Sequence, residues 1–451
     1  MHYRHRFILN TALLTLSGLV MRCVGCAFQV WLAARIGSSG IGLFQLMGAA
    51  AGMAVTFAVS GIGFGTTRLV SEELGQGHTA GAFAAVGRCC VYALVCGTVA
   101  ATVLYYFAEP IGFLCIGDGR TVLPLKIMAL QLPFLALSCV FHGYFTACSR
   151  LGRVTVLQLA QQLTSVVLTV VLLNRAPLGD LRASCACIAM AGTLAEIMGC
   201  LLMGALYVQQ WCKHPRSKEP SHGLWGRLLR ISMPLAVSAY ARSGLSTLQH
   251  MLTPAGLRRA GRTAAQALSD YGIIHGMSLT IVYFPTCILV VVAQLLVPKL
   301  TELQMQKQEM RIRSLCKRML CLCTVYAAGT AVGMFLLADL LGNKLYHTAE
   351  VGPTIRILVP LVPLIYLDIL VDGCLKGLGQ QLWCMGINIA ESAVSVVLTL
   401  CLVPLWGTTG YICVIYFNEI FNFLLSWQRL QQLIRSGKGG KTSCQQKPRG
   451  L

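Results

Sequence analysis

Long apolar runs alternate with short polar breaks along nearly the whole chain, and twelve of the runs are long enough for a helix to cross a bilayer, which takes roughly 20 residues. They lie at about 7–34, 41–64, 86–108, 122–148, 154–173, 184–212, 227–252, 271–297, 316–342, 354–375, 382–404 and 409–430. The pattern predicts an all-α membrane protein with twelve transmembrane helices. One longer polar break, 213–226, carries Pro215, Pro220 and several charges, and it divides six runs from six. It predicts an N-terminal six-helix bundle (1–212), a cytoplasmic linker (213–226), a C-terminal six-helix bundle (227–430) and a basic, Gly-rich tail (431–451) expected to be disordered.

The two halves repeat one another. Pro133 and Pro363, Gly143 and Gly373, Gln161 and Glu391, and Ser165-Val-Val-Leu-Thr169 and Ser395-Val-Val-Leu-Thr399 all share one offset, 363 minus 133, or 230. Nearer the start of each half the offset is 220, and there Arg22 and Gln29 of the first run meet Arg242 and Gln249 of the seventh. Six spans per half give both bundles the same orientation, so a pseudo-twofold axis along the membrane normal and a central cleft between the bundles are expected.

Composition agrees with the pattern: 56% of the 451 residues are hydrophobic, 12% are charged and mean hydropathy is +0.68, which excludes a soluble domain. The net charge of +20 raises the question of nucleic acid, but the basic residues fall mostly in alternate loops. With the N-terminus inside, about 24 of the 36 Lys and Arg are cytoplasmic and about 10 are outside, so a plasma-membrane protein with both termini cytoplasmic is expected, and no nucleic-acid partner. The exception is the loop 253–270, where Arg258, Arg259 and Arg262 stand on the outer side. The 21 cysteines lie singly in apolar runs (Cys23, Cys26, Cys96, Cys187, Cys401) and act as small hydrophobes. Cys89-Cys90 and Cys185-x-Cys187 lack zinc-site spacing. The first run is too long for a cleavable signal peptide.

Within the membrane, Gly18, Arg22, Gly25 and Gln29 share one helical face, and Arg242 and Gln249 repeat it. Each arginine is about fifteen residues into its run, roughly 22 Å along the axis. One reading makes Arg22 and Arg242 cationic hooks for an anionic head group, since guanidinium bonds phosphate bidentately and stays charged when partly desolvated; the other is an interhelical salt bridge or snorkelling. Asp368, Asp372 and Lys376 recur every fourth residue and share a face. They read either as a candidate ion-coupling relay or as an Asp372–Lys376 pair with Asp368 bound to an arginine elsewhere. Glu196, Glu391 and Glu419, with Gln158, Gln161, Gln162, Asn388, Asn418 and Asn422, are expected to join helices, and His142, His250 and His275 to be hydrogen-bonded. The stretch Thr67–Gly77, with Glu72 and Glu73 flanked by Arg68 and Arg88, reads as a solvated amphipathic connector. The basic stretch from Pro298 to Arg318 in the second half suits anionic lipid. Nucleotide-binding, metalloprotease and nucleophile-elbow motifs are missing, so no catalytic residue, metal or cofactor is assigned, and an enzyme is not expected.

Four segments, Leu16-Ser-Gly-Leu-Val-Met-Arg22, Ala33-Ala-Arg-Ile-Gly37, Gly40-Ile-Gly-Leu-Phe-Gln45 and Arg68-Leu-Val-Ser-Glu-Glu73, resemble the opening of the stage V sporulation protein B family, a polysaccharide-transporter branch of the MOP superfamily. The resemblance implies two rocking six-helix bundles and a lipid-linked oligosaccharide as cargo, with Arg22 and Arg242 in the place of the cleft arginines of lipid II flippases. The expected function is therefore a flippase, its partners being the anionic glycolipid, membrane lipids and cell-wall synthesis enzymes. A cation-coupled multidrug exporter of the same superfamily and a non-transporting scaffold for wall synthesis are the alternatives. An exporter of organic cations needs acidic groups where this chain has arginine.

Overall fold

The computed structural model describes residues 2–76, 78–148, 151–175, 177, 180–212, 223–346 and 348–436. Most of the expected linker and most of the basic tail lie outside these residues. Fourteen α-helices and no strand occur among the described residues: α1 (His2–Val59), α2 (Ile62–Gly75), α3 (Thr79–Pro110), α4 (Val122–Ala147), α5 (Leu151–Arg175), α6 (Leu181–Trp211), α7 (Leu224–Arg259), α8 (Ala264–Tyr271), α9 (Leu279–Tyr283), α10 (Thr286–Met305), α11 (Glu309–Leu340), α12 (Val351–Leu358), α13 (Val362–Gly377) and α14 (Gln381–Ser436). Among the described residues nine helical stretches are long and apolar enough to cross a membrane. Two of them, Gly18–Gly75 and Gln381–Ile434, have 58 and 54 residues, far beyond one crossing. Each breaks at a glycine that leaves the helical region, Gly37 (φ 73°) and Gly407 (φ 57°), a conformation that costs a Cβ-bearing residue 1–2 kcal/mol by rough rule. α7 falls outside the nine because Arg242, together with serines, threonines and prolines, makes its middle less apolar than the other spans. With α1 and α14 divided at those glycines and α7 added, the helices occupy the positions of the twelve runs.

Two compact units form, residues 1–272 and 273–451. α7 and α8 thus pack with the first six runs, a different division of the chain from the polar break at 213–226. The segment 253–270, expected as a loop, is largely helical: α7 runs through Pro254 to Arg259, and α8 starts at a capping box in which Thr263 and Gln266 bond each other's backbone. The sequence pattern misses this because the three arginines mask the end of an otherwise buried helix, where Thr253, Gly256 and Leu257 are in the core.

Unit 1 is held by small residues at close helix crossings. A Cβ on Gly42 would collide with the Leu268 carbonyl, and one on Gly272 would collide with that of Ser38, while the Ser38 and Ser269 hydroxyls bond at 2.7 Å. Gly42→Val is therefore expected to lower stability by about 2–3 kcal/mol through overpacking, read as a fall in the thermal midpoint of the detergent-purified protein. An unchanged midpoint would show that α1 and α8 part without cost. Elsewhere in unit 1 an aromatic group closes the core, with Tyr144 edge-on to Tyr207 at 5.0 Å and Phe141 beside Tyr207 at 5.5 Å.

Each unit carries its own copy of two local devices. α3 and α11 both end in a π-helical turn, Ile111–Ile116 and Leu341–Leu345, where the N–H groups of Asp118 and Thr348 donate to the carbonyls of Gly112 and Gly342. Those pairs keep the offset of 230. Thr67 donates to the Gly143 carbonyl at 3.1 Å and Thr301 to that of Gly377 at 2.9 Å. Here 301 minus 67 is 234, so the hydrogen bond falls on Gly377, while the close approach of Gly143 to Gly63 recurs between Gly373 and Ala293 at the offset of 230. One helical turn separates the two registers, which sequence matching at a single offset does not detect.

Candidate functional site

The first half of α1 is anchored by α5: Gln162 Nε2 donates to the Met21 carbonyl at 2.8 Å, and a Cβ on Gly25 would stand 3.5 Å from the same amide. That contact takes up the small side of the helix. Arg22, one position past Met21, is turned out and exposed, and Gln29 is half-buried.

α7 is fastened to the second half of α1 and to α2 by a run of polar contacts. Thr247 donates to the Ala49 carbonyl at 3.0 Å, Thr56 to the Ser243 hydroxyl at 3.0 Å, and Ser232 to the Gly61 carbonyl at 3.0 Å. Phe57 and Tyr240 stack at 5.2 Å. Ser243, Thr247 and Tyr240 thus define the packed face of α7, and Arg242 points away from it, exposed. Gln249 is half-buried. Neither Arg22 nor Arg242 makes an ion pair among the described residues, so the salt-bridge reading does not describe them. An unneutralised guanidinium in the middle of an apolar helix is costly, and such residues face a polar space or a partner.

The acidic face of α13 divides. Asp372 pairs with Lys376 at 2.5 Å. Asp368 finds no arginine: its Oδ1 is buried without a hydrogen-bond partner, and the charged groups acting on it are Glu419, Asp372, Glu391 and Lys376. This corrects the expectation that Asp368 binds an arginine elsewhere. The reason is positional: three of the four charged groups acting on Asp368 are carboxylates, and the fourth, Lys376, is paired with Asp372. Glu419 accepts from Tyr283 at 2.8 Å and Glu391 from Asn422 at 3.0 Å. In unit 1 Gln161 donates to Glu196 at 2.5 Å. These bonds join helices, as expected of amides and carboxylates in apolar spans, and His250 and His275 bond Tyr271 and Tyr411.

Sequence reasoning missed one contact. Glu73 is not on a solvated connector: it is 1% exposed and accepts from Arg227 at 2.6 Å, while Glu72 bonds Arg68 at 3.0 Å. Gly81 leaves the space that the Glu73 carboxylate fills. Arg227 lies 154 positions away, so no local pattern signals the pairing.

Residues 7–304 match the family of polysaccharide biosynthesis proteins. The chain belongs to that family. It is 22% identical to stage V sporulation protein B of Bacillus subtilis over 374 residues, covering 80% of this chain and 71% of that protein. With sporulation protein YkvU of the same organism it shares 20% identity over 385 residues, 83% of each. Among solved structures, an inward-facing multidrug resistance MATE family transporter of the MOP superfamily superposes with a TM-score of 0.70 at 13% identity, over 95% of this chain and all of that one. A MOP superfamily transporter from Pyrococcus furiosus, described by a reverse polarity of its binding pocket, gives 0.62 at 13% identity over 94% of this chain and 96% of that one. The fold is that of MOP superfamily transporters, and the chain is a multi-pass membrane protein.

Proposed function

We propose that the protein is a flippase for a lipid-linked oligosaccharide, an undecaprenyl-diphosphate peptidoglycan precursor such as lipid II, moved by alternating access. The observation that carries this reading is the pair Arg22 and Arg242, exposed and without ion-pair partners among the described residues, in the middle of membrane-length helices of a polysaccharide biosynthesis family member. Their guanidinium forks suit a diphosphate, with Gln29 and Gln249 about two helical turns away on the same face to bond the first sugar. The lipid tail stays in the bilayer. Likeness to stage V sporulation protein B supports a setting in spore wall formation, next to cell-wall synthesis enzymes. The reverse pocket polarity described for the archaeal structure supports a fold whose cavity charge changes with cargo.

Asp368 is the candidate ion-coupling group, because Asp372 is already neutralised by Lys376. Both termini and the linker face the cytoplasm in this reading, with 1–212 and 227–430 as the moving bundles and α7 and α8 of the second resting against α1 in the state described above.

The test is native mass spectrometry of the purified protein with lipid II, with phosphatidylglycerol as competitor and the Arg22→Ala/Arg242→Ala variant beside wild type. Selective lipid II binding that the variant loses supports the reading. Equal binding of both lipids by both proteins removes it and leaves the scaffold.

A further inference from the structure

One end of unit 1 holds more cations than its carboxylates can neutralise. It is the end that holds the turns at 35–40, 110–121 and 258–264, the last residue of α5, Arg175, and the start of α6 at Leu181, opposite the one that carries Glu73 and Arg227. Every carboxylate there is engaged: Asp118 with Arg120 at 2.7 Å, Glu109 with Lys126 at 2.7 Å and Asp270 with Arg262 at 3.2 Å. Asp180 accepts from the Arg182 and Ala183 backbone N–H groups at the start of α6. Arg35, Arg175, Arg182, Arg258 and Arg259 are left with no ion pair among the described residues. The corresponding stretch of unit 2 is balanced, with Arg356 on Asp339 at 2.6 Å and one further residue of each sign, Lys344 and Glu350.

Packing brings these arginines to one rim. The Arg258 guanidinium lies where a Cβ on Gly117 would be, so the glycine, in a left-handed conformation (φ 77°), admits it against the 111–121 turn. A Cβ on Gly40 would stand 3.0 Å from Leu181, which sets the bend after Arg35 beside Arg182. The Ser38–Ser269 bond ties the same bend to α8, which follows Arg258 and Arg259. Cations gathered at one end of a unit repel one another, and with the cytoplasmic termini proposed above they also stand on the outer side, against the usual bias of Lys and Arg. A bound polyanion offsets both.

We propose that this rim is a second phosphate-binding site, with Arg258 and Arg259 at its centre, that takes the diphosphate of the cargo after it leaves Arg22 and Arg242. The inference rests on the phosphate-bearing cargo proposed above. Planar guanidinium groups on converging turns bond a diphosphate from several sides, and an excess of charge at the mouth draws an anion out of the membrane interior.

The test titrates inorganic pyrophosphate and, separately, lipid II into the full-length protein in detergent at low salt. It compares wild type, Arg22→Ala/Arg242→Ala, Arg258→Gln/Arg259→Gln and the charge-keeping Arg258→Lys/Arg259→Lys. The Arg22/Arg242 variant is expected to lose the pyrophosphate held by those two arginines and to keep the second equivalent at the rim, which the glutamine variant binds at least about tenfold more weakly, with the lysine variant retaining most of that affinity. Weakening of both ligands by glutamine assigns the site to the shared diphosphate group. Weakening of pyrophosphate alone assigns it to a free anion. Unchanged pyrophosphate binding in the glutamine variant, or equal loss in the lysine variant, overturns the rim. Failure of the Arg22/Arg242 reading is seen separately, as lipid II binding that survives Arg22→Ala/Arg242→Ala.

Discussion

Alanine at both Arg22 and Arg242 is expected to cut translocation of an undecaprenyl-diphosphate glycolipid in proteoliposomes by at least about a hundredfold, with the protein still inserted and folded. Hydrogen bonds to a charged group contribute about 1.5–3 kcal/mol each, and about 1.4 kcal/mol is a factor of ten, so losing one from each arginine gives that scale. Folding is spared because neither side chain makes an ion pair among the described residues, and the contacts that fix their helices come from neighbours, Gln162 on the Met21 carbonyl and Thr247 on that of Ala49. Lysine at the two sites keeps charge but loses the fork, and an intermediate rate is expected. Wild-type transport by the double alanine variant would refute the hook.

A second large effect is expected at Arg227. Removing it strands the Glu73 carboxylate, 1% exposed, in a site shaped for an ion. Breaking a fully buried pair costs about 3–5 kcal/mol, and because the Arg227 side chain is itself 35% exposed, about 2–3 kcal/mol is expected for Arg227→Ala. The measurement is the thermal midpoint of the purified protein. Glu73→Gln, which keeps an oxygen acceptor for Arg227 without leaving a buried charge, is expected to cost less. If Arg227→Ala melts with wild type, water has replaced the guanidinium and the pair is not a fastening between α2 and α7.

These two sites differ in how far the sequence discloses them. Arg22 and Arg242 are visible because a charge inside an apolar run of bilayer length is improbable without a use, and because the Arg-x6-Gln spacing recurs in both halves. Glu73 is invisible, since its sequence neighbours are those of an exposed amphipathic turn. Its burial is created by Arg227 and by the space beside Gly81. Asp368 lies between the two cases: helical spacing put it on a face with Asp372 and Lys376, and the expected arginine partner failed because composition does not say which helices become neighbours.

Hydrophobic periodicity and length alone fixed the class, the helical content and the places where helices run, because in a bilayer every backbone polar group must be satisfied inside its own segment. The repeat also was legible where Pro and Gly mark backbone geometry, at Pro133 and Pro363 and at Gly143 and Gly373. Only the tertiary structure decided that α7 and α8 pack with α1, that the hydrogen bond to the Gly143 carbonyl recurs at Gly377, and that five arginines with no ion pair among the described residues gather at one end of unit 1. Those facts depend on which surfaces meet across long stretches of chain, and a van der Waals contact or an ion pair between distant residues leaves no period in the sequence.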